Sequence, residues 1–438
     1  MYFKVFLVLH GVCSKLPALV RRLDLPHVQD WVVQPKLCER VAQHSGYLDL
    51  QMDSRLFFWF FGARSRTPSP QPLIVWLNGA PSSSALMGGN AGMFPCKLDG
   101  SENPTAWNIN ANVLFLDQFI DSGYSYGTGR KEVYFNNTRM IYAFLCKFLR
   151  KFPEYRSSPI HIFGDSFVGQ LVLSLGELIV SMKKVSSINL HSVGLGNSLL
   201  DPLLQMDAQP ALLCKLQPGA PCTALHQGVE NCRPLFQKCY SMRDNKMCAS
   251  ARRCHWDLTV KPVLSAGWDI HDLRQPSHVN PRASAAATAA HFFNQEHVAS
   301  ELGARSQFMD DLDLDYFPEF IFDPRMALPS TDSLSSLLKS GIRVLLYAGD
   351  QDYIFNHRAI EKLTRHLVWP GAANFSSTLT SPLMELSTSR VVGEFRTFSL
   401  LSFVKIHNAS GKPQFDKPHV IQAVVDAWIK FSLPNNNT

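Results

Sequence analysis

Long apolar runs, long runs of like charge and charged residues in general are all scarce in this 438-residue sequence. Charged residues make up 18% and apolar residues 46%, a balance typical of compact globular proteins and too apolar for a disordered chain. The formal net charge is +6, but basic runs go no further than pairs such as Arg252-Arg253. We therefore expect no nucleic-acid partner. After the N-terminus, no stretch approaches the ~18 consecutive apolar residues of a membrane span, so none is expected.

Cysteine is absent after Cys254, and the ten cysteines are unevenly spread. Six of them fall between residues 214 and 254: Cys214, Cys222, Cys232, Cys239, Cys248 and Cys254. This clustering predicts a local disulfide framework formed in an oxidising compartment, with its connectivity open. The spacing lacks paired C-x-x-C motifs, so zinc is the weaker interpretation. We expect no metal site and no cofactor.

The N-terminus carries an early positive charge, a short apolar run and small residues near Ser14. This pattern predicts a signal peptide over residues 1–14, and the alternative is a frayed strand. Four N-x-S/T glycosylation sequons are present, at Asn136, Asn374, Asn408 and Asn436. Together with the cysteine cluster, these features predict a secreted protein or one of a vacuole- or lysosome-like lumen.

The rest of the chain alternates strand and helix patterns, which predicts an α/β fold with a mixed, mostly parallel sheet flanked by helices. A cysteine-, proline- and glycine-containing segment interrupts the pattern and is interpreted as an inserted, disulfide-bearing cap. The predicted divisions are an extended arm or propeptide remnant at 15–35, a first core half at 36–205, the cap at 206–333, a second core half at 334–434 and a polar tail at 435–438.

Three early segments, Ser45–Met52, Leu56–Phe61 and Pro72–Leu77, are rich in β-branched or aromatic residues and predict opening antiparallel strands. Further along, a strand at Ile160–Phe163 is followed after a very short turn by a helix at Gln170–Met182. This second junction is where the clearest chemical motif lies.

The motif is Gly164-Asp165-Ser166-Phe167-Val168-Gly169. A sharp strand-to-helix turn lifts a serine hydroxyl above the sheet and requires small neighbours, as in a nucleophile elbow. The G-x-S-x-G form is broken by Val168, whose branched side chain is expected to crowd the turn. The position of Ser166 between strand and helix nevertheless favours a nucleophile.

The chain resembles the serine carboxypeptidases in several ordered motifs, which extend over nearly its whole length. These motifs are Trp76-Leu77-Asn78-Gly79-Ala80-Pro81-Ser82-Ser83-Ser84, Gly164 to Gly169, Gly123-Tyr124-Ser125-Tyr126, Phe152-Pro153-Glu154-Tyr155, Tyr347-Ala348-Gly349-Asp350-Gln351-Asp352-Tyr353-Ile354 and Asp416-Lys417-Pro418. The resemblance implies an α/β-hydrolase fold and hydrolysis of peptides by a Ser-Asp-His triad.

Carried onto this sequence, the resemblance makes Ser166 the nucleophile and Asp352 the acid of the triad. The family pattern G-H-M-V-P-x-D-Q-P aligns without a gap on residues 410–418, and Gly411 stands in the place of the histidine. Loss of such a histidine costs about 10⁶ in turnover in a well-studied serine protease, so efficient hydrolysis is not expected. His407 and His419 lie nearby as substitute bases or, as we favour, as surface or packing residues.

The resemblance also assigns the groups around the triad. Backbone N–H groups of Ala80 and Phe167 would form the oxyanion hole, and they survive changes of side chain. The family binds the substrate's C-terminal carboxylate with an Asn and two Glu that share a proton. Here the corresponding substrate-binding residues are Asn78, with the adjacent Gly79, and Asp165, a shorter acid in place of one Glu.

Gly92 takes the place of the second Glu. Because a proton-sharing acid pair gives such sites their preference for acidic conditions, that preference should weaken here.

Three functions remain open from the sequence. The first is a serine carboxypeptidase of impaired activity, the second a pseudoenzyme with a retained binding cleft, and the third an acyltransferase, which would also need the histidine. A splicing error is a further possibility, but the gapless alignment around Gly411 argues against a simple deletion. The expected partner is a peptide or a small acyl substrate, and the oligomeric state is not predicted.

Overall fold

The structure is a computed structural model that describes residues 29–50, 54–67, 70–79, 83–87, 92–127, 133–184, 186–279, 281–309, 323–385 and 387–431. The predicted signal peptide, residues 15–28 of the predicted arm and the predicted polar tail lie outside the described residues.

One sheet forms the centre of the described protein. Its eleven strands are β1 (Trp31–Val33), β2 (Gln43–Tyr47), β3 (Phe57–Phe61), β4 (Leu73–Leu77), β5 (Asn112–Leu116), β6 (Ile160–Ser166), β7 (Leu190–Ser198), β8 (Arg343–Gly349), β9 (Ser381–Glu385), β10 (Arg390–Phe398) and β11 (Leu401–Ile406). The spatial order is β1-β2-β3-β5-β4-β6-β7-β8-β11-β10-β9.

The sheet is mixed, and its central strands are parallel. Strands β5, β4, β6, β7, β8 and β11 pair in parallel, whereas β1, β2 and β3 at one edge and β10 and β9 at the other pair antiparallel. The prediction that β4 belongs to the antiparallel opening was wrong. Strand β5 lies between β3 and β4, so β4 has parallel neighbours on both sides.

The helices flank this sheet and fill the long connections. They are α1 (Val133–Lys151), α2 (Gly169–Ser181), α3 (Pro202–Leu216), α4 (Cys222–Met242), α5 (Asn245–His255), α6 (Lys261–Ser265), α7 (Pro281–Phe293), α8 (Glu296–Glu301), α9 (Thr331–Lys339), α10 (His357–Thr364), α11 (Ala372–Ser377), α12 (Pro413–Asp416) and α13 (Pro418–Ile429). A π-helical turn at Trp256–Val260 joins α5 to α6, and short 3-10 turns occur at Trp107–Ile109, Pro153–Tyr155 and Pro324–Ala327.

Both faces of the central sheet are buried, as parallel strands covered by helices require. Alternate residues of β4 point to opposite faces, so Val75 packs in one apolar cluster with residues of α1 and α2, and Trp76 packs in another with Trp428 of α13. All five residues of β4 are buried, which explains why the sequence of this strand is a continuous apolar run.

The connection from β7 to β8 is the longest in the described chain and contains the predicted cap, residues 206–333. All six clustered cysteines pair there, as Cys214–Cys222, Cys232–Cys254 and Cys239–Cys248. A fourth bridge, Cys38–Cys96, lies in the first half of the chain. Within the described ranges, no helix is both long and apolar enough to span a membrane.

Candidate active site

Ser166 occupies a sharp turn between β6 and α2. It is the last residue of β6, its φ is +57°, and α2 begins at Gly169 only three residues later. A non-glycine residue in this left-handed region is strained, and such strain is typical of a nucleophile elbow. A hydrogen bond from the end of β7 stabilises the turn: the N–H of Leu199, the residue after β7, donates to the carbonyl of Ser166 at 2.9 Å.

Two glycines make room for this turn. A Cβ atom added at Gly79, just after β4, would lie 2.2 Å from Oδ1 of Asp165 and 2.7 Å from Cβ of Ser166. A Cβ atom added at Gly164 would lie 2.5 Å from Cγ1 of Val168. The expected crowding by Val168 is therefore accommodated, because its methyl group occupies the space that residue 164 leaves as glycine.

Asp352 follows the end of β8 and its side chain is completely buried. Its Oδ1 accepts hydrogen bonds from the N–H groups of Ile354 at 3.0 Å and Phe355 at 3.2 Å. Ser166 and Asp352 both lie at the carboxyl ends of parallel strands, the edge where sites form in open α/β sheets.

Gly411 lies directly against this carboxylate. A Cβ atom added at Gly411 would stand 2.7 Å from Oδ2 and 3.1 Å from Cγ of Asp352. The position that the alignment gives to the histidine is thus in place beside the acid, but no imidazole can extend from it. Real Cβ atoms do not approach other atoms so closely, so the loop also lies nearer to Asp352 than a side chain there would allow.

The two nearby histidines named from the sequence point elsewhere. Nε2 of His407 lies 3.6 Å from Oε1 of Glu394 on β10, and the His407 N–H donates to the carbonyl of Val392. His419 is exposed on the first turn of α13. These positions agree with surface or packing roles.

Asp165 is paired in a way that the sequence did not suggest. Its carboxylate is completely buried. It accepts hydrogen bonds from Nζ of Lys412 at 2.8 and 2.7 Å and from Nε2 of Gln414 at 2.7 Å. The alignment placed both residues beside Gly411, but nothing in their spacing shows that they turn towards the elbow.

The other predicted carboxylate-binding positions are also rearranged. Nδ2 of Asn78 donates to Oγ of Ser83 at 2.7 Å, and the backbone of Asn78 exchanges hydrogen bonds with the side chain of Gln118. A Cβ atom added at Gly92 would lie 2.5 Å from Cβ of Pro418, so the chain itself occupies the place of a second acid.

A cavity beside the elbow is lined by Phe167 and Phe355, whose rings meet edge to face at 5.0 Å, and by His271, Arg252 and His255 of the cap. Burial lowers the pKa of His255 to about 3, and its Nε2 lies 3.0 Å from Oε1 of Gln209. Burial also lowers the pKa of Arg252, to about 10. At neutral pH the cavity is therefore lined by a neutral imidazole, that of His255, and by a guanidinium cation, that of Arg252.

Some predicted residues cannot be placed in this way. Ala80, the other proposed oxyanion donor, and the sequon at Asn436 lie outside the described residues. The backbone of Asn136 belongs to α1. Asn374 on α11 and Asn408, in the loop after β11, are both exposed, so each side chain faces the solvent that a glycan requires.

The sheet order, the elbow at Ser166 and the acid after β8 define an α/β-hydrolase. A solved structure of a prohormone-processing carboxypeptidase of Saccharomyces cerevisiae superposes with a TM-score of 0.76 at 22% identity, covering 94% of this chain and 98% of that one. This likeness supports the same fold.

Sequence comparison gives the family. The family model described as serine carboxypeptidase matches residues 34–431. Carboxypeptidase Y homolog A of Sclerotinia sclerotiorum is 31% identical over 404 residues, which cover 89% of this chain and 73% of that protein. A vacuolar serine-type carboxypeptidase of Saccharomyces cerevisiae is 28% identical over 405 residues, covering 89% and 80%. The chain belongs to the serine carboxypeptidase family.

Proposed function

We propose that this protein is a serine carboxypeptidase in which the release of C-terminal residues, through acylation of Ser166, is strongly impaired. The observation that carries the proposal is the position of Gly411. It lies in contact distance of Asp352, where the family histidine would stand, and it has no side chain to accept the serine proton. Ser166 and Asp352 would then act as nucleophile and acid without the base that normally links them.

The rearranged surroundings of Asp165 support weaker recognition of a substrate carboxylate. The ion pair with Lys412 neutralises Asp165, and the chain fills the space at Gly92. The missing side chain at Gly411 also favours a second candidate, a non-catalytic pseudoenzyme that retains a binding cleft. Secretion or a vacuole-like lumen is part of the proposal, supported by the cap disulfides and by a relative named as vacuolar.

Labelling with a fluorophosphonate tests the proposal, because the probe reacts with an activated serine without needing a carboxylate site. Wild type, Ser166→Ala and carboxypeptidase Y homolog A of Sclerotinia sclerotiorum would be compared, together with their hydrolysis of a blocked dipeptide. We expect labelling that is lost in Ser166→Ala, with dipeptide turnover about 10⁴- to 10⁶-fold below that of the relative.

Absence of Ser166-dependent labelling would support the pseudoenzyme. Dipeptide turnover within about tenfold of the relative, a loss far smaller than a missing base causes, would contradict the impairment.

A further inference from the structure

A loop of the cap, residues 266–275, is hydrogen-bonded to both loops that carry Asp352 and Gly411. The N–H of Tyr353 donates to the carbonyl of Ile270 at 3.0 Å, and the N–H of Gly411 donates to the carbonyl of His271 at 2.8 Å. The cap loop therefore contacts the acid loop and the loop with the missing histidine at the point where those two loops meet.

The imidazole of His271 lies close to the acid without a hydrogen bond to it. Its Nδ1 lies 3.9 Å from Oδ1 of Asp352, its ring centroid lies 6.2 Å from that of Phe355, and its side chain is 37% exposed. It also lines the same cavity as Phe167, the residue directly after Ser166. A histidine is thus present at the site, but it comes from the cap instead of the loop after β11.

We propose that His271 is the general base for Ser166, in the place of the histidine that Gly411 lacks. This inference rests on the proposed function, because it identifies the group through which the residual reaction would proceed. His271 lies on the Oδ1 side of the carboxylate, whereas Gly411 lies on the Oδ2 side. The base would therefore approach the same acid from the opposite oxygen.

The proton transfers balance as follows. Oγ of Ser166 attacks the substrate carbonyl carbon and its proton passes to Nε2 of His271. That proton is then given to the leaving amine as the C–N bond breaks. Water attacks the resulting ester and gives a proton to His271, and the proton returns to Oγ of Ser166 as the acyl C–O bond breaks. With Nδ1 directed towards Asp352, Nε2 is the ring nitrogen left to accept the serine proton.

The distance of 3.9 Å is longer than a hydrogen bond, so His271 must approach Asp352 by about 1 Å when substrate is present. Catalytic hydrogen bonds are often this loose without substrate. Two hydrogen bonds hold the loop close to this position, so only a small movement is needed. Asp269 Oδ1 accepts the His271 N–H at 2.7 Å, and Arg274 bridges to Asp416 at 2.8 Å.

Charged or titratable groups near His271 lie on the acid loop, elsewhere in the cap and on its own loop, which also carries Asp272 and Arg274. Asp352 faces it from the acid loop, Asp269 lies on its own loop, and Arg252 and His255 of the cap line the same cavity. The two acids stabilise an imidazolium formed during the reaction, and Arg252 opposes it.

The test measures the rate of fluorophosphonate labelling in wild type, His271→Gln, His271→Ala and a matched control, His407→Gln. We expect His271→Gln and His271→Ala to lower the Ser166-dependent rate by about 10²-fold or more, the lower end of the range for loss of a general base. His407→Gln should stay within about twofold of wild type, since His407 lies against Glu394. Free imidazole should raise the rate of His271→Ala and leave Ser166→Ala unlabelled.

The outcomes separate the two proposals. Labelling that depends on Ser166 but is unchanged in His271→Gln overturns the role of His271 and leaves the proposed function standing. No labelling of wild type overturns both. A loss in His271→Ala that imidazole does not restore overturns the base role and indicates a structural one, and unfolding curves of the variants show whether the fold is retained.

Discussion

Nζ of Lys412 lies 2.8 and 2.7 Å from the two carboxylate oxygens of Asp165, the residue that precedes Ser166 in the elbow. Asp165 is completely buried, and the Lys412 side chain is 31% exposed. A buried carboxylate needs such a partner, because leaving one charge of a buried pair uncompensated is costly. The pair connects the elbow to the loop that carries Gly411, so the two halves of the candidate site are joined by charge.

Replacement of Lys412 by methionine should therefore destabilise the protein. We expect the free energy of unfolding to fall by about 3 kcal/mol, the lower end of the range for a broken buried pair, because Lys412 is partly exposed. The double variant Lys412→Met with Asp165→Asn should lose less than the single variant, because no buried charge is left. Urea unfolding measures both, and equal losses in the two variants would show that the charge pair is not responsible.

The left-handed φ of Ser166 predicts a contrast between two small replacements. Ser166→Ala keeps the steric strain of a Cβ at φ +57°, whereas Ser166→Gly removes it. We expect Ser166→Gly to be more stable than Ser166→Ala by about 1 kcal/mol, with labelling lost in both. Thermal unfolding provides the comparison. A glycine variant less stable than the alanine variant would contradict the strained elbow.

The close packing at Gly79 predicts that this position tolerates no side chain. A Cβ there would lie 2.2 Å from Asp165 Oδ1, so Gly79→Ala should displace the elbow, lower stability by about 1–3 kcal/mol and remove labelling. Gly62 offers a matched control, because a Cβ there meets its nearest atom, the carbonyl oxygen of Ala42, at 3.4 Å. Gly62→Ala should change neither property by much, and similar effects in both variants would refute this account of the packing.

Two buried histidines predict a loss of stability in acid. Burial lowers the pKa of His161 and of His255 to about 3 each, below the ordinary value near 6.5. Well above pH 6.5 neither state binds the proton and stability is complete. As pH falls from 6.5 towards 3, only the unfolded chain binds the proton, so each histidine removes about 2 kcal/mol by pH 5.

Urea unfolding at pH 7 and pH 5 checks this difference. His161→Gln should show a smaller drop between the two pH values than wild type, by about 2 kcal/mol. The same pH dependence in both proteins would contradict the assignment of a neutral buried His161.

The sequence predicted the positions of the buried strands and of the strand–helix junction well. Strand runs such as 57–61 and 73–77 and the strand–helix junction at Ser166 lie where expected, because buried parallel strands require continuous apolar residues. The direction of β4 relative to its neighbours was missed, because an apolar run does not say which strands lie beside it. The insertion of β5 between β3 and β4 is a matter of long-range topology.

The candidate site shows the same limit. The placement of Gly411 beside Asp352 followed from alignment with a family motif, but the roles of Lys412 and His271 depend on contacts between residues far apart in sequence. Lys412 meets Asp165 across a separation of 247 residues, and no local pattern records that contact. His271 carries no motif of its own and becomes visible only when the cap loop is seen beside Asp352.

Ser166 and Asp352 keep the places of nucleophile and acid, and what the site lacks is a side chain at position 411; restoring that side chain is the sharpest test of the proposed function. The measurement is the rate of Ser166 labelling in Gly411→His compared with wild type, with Gly411→Gln as a control that introduces the same Cβ without a base. Because the Cβ would lie 2.7 Å from Oδ2 of Asp352, closer than real Cβ atoms approach other atoms, the loop must shift in both variants. A labelling rate at least about 10²-fold above wild type in Gly411→His alone is the predicted result. An unchanged rate in a folded Gly411→His protein, or an equal gain in Gly411→Gln, would contradict the account.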